Sequence, residues 1–150
     1  MSIEHLVAAI QNLRHQNDEF VPPPATEDAI VALAVQFQSE FGLALPEAYQ
    51  RVLRLSDGIL FDGLTVWPTQ RHWLFRESLI EANRDLRETI EDSLVYFGKR
   101  DDIVFVLDQK REVYAALEMS GMSEWETFDD AEEMMTFMLQ RVVDENEDPA

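Results

Sequence analysis

Apolar residues open the chain at helical spacing. Ile3, Leu6, Val7, Ile10 and Leu13 fall at three- and four-residue steps behind Ser2, which predicts a capped helix fading near Gln16–Glu19. Pro22-Pro23-Pro24 then favours an extended arm, because proline fixes φ and donates no backbone hydrogen bond. A second stripe, Ile30, Leu33, Ala34, Phe37 and Phe41, follows Thr26 as cap, with Glu27 and Asp28 in the first turn where the helix dipole favours negative charge. Gly42 suits the left-handed stop. Pro46 opens a short helix through about Leu55, with Tyr49, Val52 and Leu53 inward, and Ser56-Asp57-Gly58 turns the chain.

The pattern then changes period. Ile59–Phe61 and Leu64–Trp67 read as short strands broken at Asp62-Gly63, while residues 69–76 fit neither template. Ser78 and Glu81 form a capping box for a helix with Leu79, Ala82, Leu86 and Ile90 on its core face. Leu94–Phe97 and Ile103–Leu107 are continuous apolar runs, expected to be strands covered on both faces. Lys99–Asp102 is the turn between them, and Asp108–Arg111 leads into Glu112–Leu117, an antiparallel meander. Trp125–Phe128 adds a short edge strand. Asp129 and Glu132 read as a second capping box, starting a helix with Ala131, Met134, Met135, Met138, Leu139 and Val142 on one face. Asp144–Ala150 is polar and expected to fray. This order implies an α+β fold, a central antiparallel sheet flanked by helices. A single domain over residues 1–150 is expected, with residues 1–21 forming an extra N-terminal helix and connector.

Charge changes the picture more than composition does. Thirty Asp and Glu against twelve Lys and Arg give a formal charge of −18. Residues 101–150 hold fifteen acids and three bases, whereas residues 51–100 are balanced at eight each. Such a pole repels nucleic-acid phosphates and anionic lipid and attracts basic proteins. The longest apolar run, Ala29 to Val35, has seven residues, far short of the roughly 20 that a membrane span needs. The expectation is a soluble, cytoplasmic protein with no membrane association.

Little catalytic chemistry is visible. With no cysteine there is no thiol nucleophile, disulfide or thiolate zinc site. His5, His15 and His72 are scattered, and no glycine-rich phosphate loop or G-x-S-x-G elbow occurs. His72, between Arg71 and Trp73, is the one histidine with a conceivable binding role. Asp129, Asp130, Glu132 and Glu133 could attract a divalent cation, yet helix capping accounts for part of that cluster. Trp67, Trp73 and Trp125 are expected to fill core. No enzyme activity, cofactor or metal is expected, and the oligomeric state stays open.

Residues 40–63 carry a more specific pattern. Glu40-Phe41-Gly42-Leu43-Ala44-Leu45-Pro46-Glu47-Ala48-Tyr49, then Leu53, Asp57-Gly58 and Gly63, resembles the SUKH superfamily. These are bacterial immunity proteins related to fungal cell-wall-synthesis regulators. Leu94–Gly98, Ile103–Asp108 and the helix after Phe128 are similar to that family's later strands and last helix, so the resemblance covers residues 27–142. The whole chain looks most like the small YrhA-type branch. It departs at Ile59, where the family has a second glycine, and in the helix before Pro22. The resemblance implies a non-enzymatic protein that binds and neutralises a cognate toxin domain, often a nuclease. A regulatory or scaffolding adaptor is the alternative.

Charge and resemblance together nominate an acidic partner-binding surface. Its candidate residues are Glu118, Glu124, Glu126, Asp130 and Glu133, with Trp125 as an aromatic anchor. Asp129 and Glu132 are set aside as the expected cap.

Overall fold

The computed structural model describes residues 1–147. Its architecture is α+β, with five helices and one six-stranded antiparallel sheet. The helices are α1 (Ile3–Gln16), α2 (Glu27–Phe41), α3 (Glu47–Leu53), α4 (Leu79–Thr89) and α5 (Ala131–Asn146). The strands are β1 (Ile59–Phe61), β2 (Leu64–Val66), β3 (Leu94–Arg100), β4 (Ile103–Asp108), β5 (Val113–Glu118) and β6 (Ser123–Phe128). Strand order follows chain order, a plain meander with β1 and β6 at its edges. No helix among the described residues is long and apolar enough to cross a membrane.

Local chemistry sets most boundaries. Ser2 and Thr26 accept hydrogen bonds from the amides of His5 and Ala29, capping α1 and α2, and Gly42 ends α2 at φ +72°. Both halves of the Ser78–Glu81 capping box form. Pro46 occupies the cap position of α3, one residue outside the helix. Asp62 and Gly63 both have positive φ, the two-residue turn whose twist matches a hairpin. β3 runs on to Arg100, so the turn into β4 is only Asp101-Asp102.

The core runs through both faces of the central strands. Register puts Phe105 beside Ala116 on one face and Val106 beside Ala115 on the other. All four are buried, as the continuous apolar runs require. Phe97 is the extra residue of a bulge against β4, and its ring meets Phe37 of α2 and Tyr49 of α3 at 5.9 Å. Gly98 leaves room for Met138 of α5, whose Sδ lies 2.6 Å from where a Cβ would stand.

The N-terminal helix is part of this core and not an appendage. Ile3, Leu6, Val7 and Ile10 are at most 2% exposed, and α1 packs on α3 and α5. Arg14 is buried and donates to the carbonyls of Phe20 and Leu60, tying the helix end to β1. The proline arm is pinned too. The amide of Asp57 donates to Pro23 at 2.8 Å and that of Ala25 to Leu53 at 2.9 Å.

Three expectations need correction. The last helix extends through Asn146, because Val142 and Val143 still pack inward and Asn146 donates to Asp62 and the Val142 carbonyl. Fraying from Asp144 is therefore wrong for residues 144–146, and residues 148–150 lie outside the described ones. Of the tryptophans only Trp67 is core; Trp73 is 73% exposed and Trp125 41% exposed. The helix cap before α5 is also displaced, as its geometry shows next.

Candidate partner-binding surface

β6 closes one side of the sheet and pairs only with β5. Ser123 through Thr127 are exposed, and Phe128 alone turns into the core. Register sets Glu118 opposite Ser123, Glu124 opposite Leu117 and Glu126 opposite Ala116. Trp125 is left as the extra residue of a bulge, a device that re-aims a side chain. Its ring meets Phe137 of α5 edge-on at 5.7 Å, with the Arg141 guanidinium 4.7 Å from its centroid. The indole rims an open cleft of about 280 Å3, shared with Ile103, Phe105, Met138 and Arg141.

The candidate carboxylates are not equivalent. Glu124 is ion-paired with Arg111, which also binds Asp108 at 3.0 Å. Asp130, not Asp129, caps α5: its side chain accepts from the Glu133 amide at 2.8 Å. Glu133 reaches back to the Asp129 amide at 3.3 Å. The true frame is therefore Asp130-x-x-Glu133, one residue later than the spacing suggested. Asp130 also faces Tyr114, whose hydroxyl pKa is raised first by burial and then by that carboxylate. Glu132, expected in the cap, instead meets Arg51 at 3.0 Å, and Arg51 also holds Glu4. Glu126 and Asp129 have no ion-pair partner among the described residues, and Glu118 accepts only from the Ser123 hydroxyl at 3.4 Å. The carboxylates of this surface that form no ion pair are thus Glu118 and Glu126, on the hairpin that carries Trp125, and Asp129, which follows it. The structure brings Glu118, Glu124, Trp125 and Glu126 together on the β5–β6 hairpin, while Asp130 and Glu133 serve the helix start.

A second exposed cluster lies in the segment that had no readable period. His72 and Phe75 exchange backbone hydrogen bonds of 3.1 and 2.9 Å, a tight turn with Trp73 and Leu74 at its tip. The imidazole of His72 stacks on Phe20 at 5.6 Å, and Trp73 lies 5.0 Å from the same ring. His72 Nδ1 accepts from the Leu74 amide at 3.2 Å. Asp57 anchors this loop by accepting from both the amide and the hydroxyl of Thr69, at 2.8 and 2.9 Å. Gly58, at φ +95°, leaves the space that Phe75 fills: a Cβ there would stand 2.8 Å from the ring. The Asp57-Gly58 turn thus holds a remote loop, a role invisible in sequence because its partner sits twelve residues away. His5 and His15 are exposed on α1. Among the described residues no group of three or more His, Asp or Glu is placed to hold a metal ion.

No family model matches the chain, and no curated protein matches it either.

Proposed function

We propose that this is a SUKH-like, non-enzymatic immunity protein that neutralises a cognate, basic bacterial toxin domain by docking it on the β6 edge and the start of α5. The observation carrying this reading is the set of carboxylates without an ion pair, Glu118, Glu126 and Asp129, on or just after the edge hairpin that carries the half-exposed Trp125, in a chain charged −18. The pattern from Glu40 to Gly63 supports it from the sequence side. A toxin domain that grips phosphates is basic, and an acidic partner meets that potential with its own. Opposite fields raise association towards ~10⁸ M⁻¹s⁻¹ at low salt, and a buried aromatic then slows dissociation.

The test is binding kinetics with the product of the gene neighbouring this chain's, using Glu118, Glu126 and Asp129 reversed to Lys. Neither capping nor core is touched, so the melting temperature stays unchanged. The association rate falls about tenfold or more at low salt, and the difference shrinks once the screening length drops below about 8 Å. An unchanged rate at low salt places docking elsewhere. Failure of the native chain to bind the toxin and restore growth refutes immunity altogether. The adaptor reading is favoured by one observation, the separate Phe20–His72–Trp73 cluster, since an adaptor needs two docking surfaces.

A further inference from the structure

Helix α2 carries more apolar surface than its packing uses. The run Ala29 to Val35 is apolar throughout, yet within it only Ile30 and Leu33 are buried. Val31 and Val35 are 58% and 66% exposed. A β-branched residue loses χ1 freedom in a helix and here leaves its methyl groups in water, so neither valine serves the isolated fold. The two are a helical turn apart and, with Ala34 and Gln38, form a ridge at i, i+3, i+4 and i+7. Alongside it run Ala44 and Leu45, closing an open groove of about 420 Å3. Gln50, which also lines the groove, already spends its amide on the Leu45 carbonyl and the Arg54 guanidinium, so it asks for no polar partner.

We propose that this groove docks an amphipathic helix of a partner protein, with basic residues where its apolar face meets the start of α2. A ridge at these spacings fits between the side-chain rows of a second helix. The place of the partner's basic residues follows from charge. At the start of α2, Asp28 follows Glu27, which shares the one cation of Arg54 with Glu47, so that end stays net negative, whereas Glu40 at the other end is neutralised by Arg84. Asp28 has no ion-pair partner among the described residues. A second copy of this chain would bring −18 against −18, which disfavours self-pairing on the same groove. The inference stands apart from the toxin reading, because it rests on a different element.

The experiment compares the native chain with the Val31→Gln/Val35→Gln variant. The change keeps the charge, lies outside the core and suits a helix better, so the melting temperature holds or rises. The probe is a 14-residue Leu/Lys peptide with leucines at i, i+3, i+4 and i+7. Its control has the same composition in strict alternation. The helical peptide should bind the native chain at least about tenfold more tightly than it binds the variant, the loss expected when two valines no longer become buried. It should also outbind its control by a similar factor. Equal affinity for native and variant chains leaves charge alone as the attraction and overturns the proposal. So does no binding. Concentration-dependent dimerisation, or partition onto neutral phosphatidylcholine vesicles, abolished by the same variant would assign the groove to a second copy or to lipid and overturn it likewise.

Discussion

Asn83 takes the place of a missing strand, and removing it should be costly. β2 pairs with β3 only at Leu64–Arg100 and Thr65–Lys99, so the rest of that side of β3 has no neighbouring strand. At Tyr96 the gap is filled by one side chain from α4. Asn83 Oδ1 accepts from the Tyr96 amide at 2.7 Å, and Nδ2 donates to the Tyr96 carbonyl at 2.8 Å and the Leu79 carbonyl at 3.0 Å. Both residues are fully buried. Asn83→Ala strips the backbone of Tyr96 of both partners where no water reaches. At about 1–3 kcal/mol for each of the two buried groups left unpaired, the loss is about 2–6 kcal/mol. For a chain of this size that lowers the melting temperature by about 4–24 °C. Asn83→Leu fills the volume without the hydrogen bonds, so it should be no better than Ala if the bonds decide. Asn83→Asp keeps the acceptor but buries a carboxylate and loses the donor, and it too should destabilise. Urea melts measure the three losses, and hydrogen exchange at the Tyr96 amide reports the bond itself. A loss below about 1 kcal/mol for Ala, with that amide still protected, would refute the reasoning.

Other outcomes follow from single contacts. Phe105→Ala, at a site 2% exposed in a central strand, should cost about 3–5 kcal/mol in denaturant melts, and less than about 1 would contradict its core position. Asp130→Ala should cost about 1 kcal/mol while Asp129→Ala costs nothing measurable; the reverse ranking would restore the earlier helix frame. Arg51 beside Glu4, and Arg71 with the Ser78 amide beside Glu81, hold these carboxyl pKa values at about 2, below the ordinary 4.5. The folded values lie below the unfolded ones, so their contribution is complete above pH 4.5 and is lost as pH falls towards 2. Glu81→Gln keeps a capping-box residue and should flatten the acid limb of melting temperature against pH; an unchanged limb would show that the Arg71 pair adds nothing.

What sequence could reveal was whatever a short window contains. Ser2, Thr26 and Ser78 announce their helices because a cap bonds an amide three residues on, and Gly42 announces an end because left-handed backbone favours glycine. The continuous runs at β3 and β4 declare burial on both faces in the same way. Beyond that window the information is tertiary. Asn83 reads as one more polar helix residue until Tyr96 is opposite it, and Arg14 as a surface charge until Leu60 and Phe20 close over it. Trp73 and Trp125 read as core because size suggests burial, but a two-residue tip exposes one and a bulge half-exposes the other.

The start of α5 shows why the candidate surface was harder to place than the fold. Asp129-x-x-Glu132 and Asp130-x-x-Glu133 satisfy the same capping pattern, and both put the methionines inward. What separates them is Phe128, which must stay in β6 opposite Tyr114 to bring its ring 5.1 Å from Phe137. Asp129 is then consumed as the link between strand and helix, and the cap falls to Asp130. A shift of one residue leaves the fold unchanged, yet it exchanges spent carboxylates for free ones. Charge counted along a chain therefore overstates what a partner can use: Glu124 belongs to Arg111, Glu132 to Arg51, and Asp130 and Glu133 to the helix. On this surface the ion pairs and caps seen in three dimensions leave Glu118, Glu126 and Asp129 as the carboxylates that join neither.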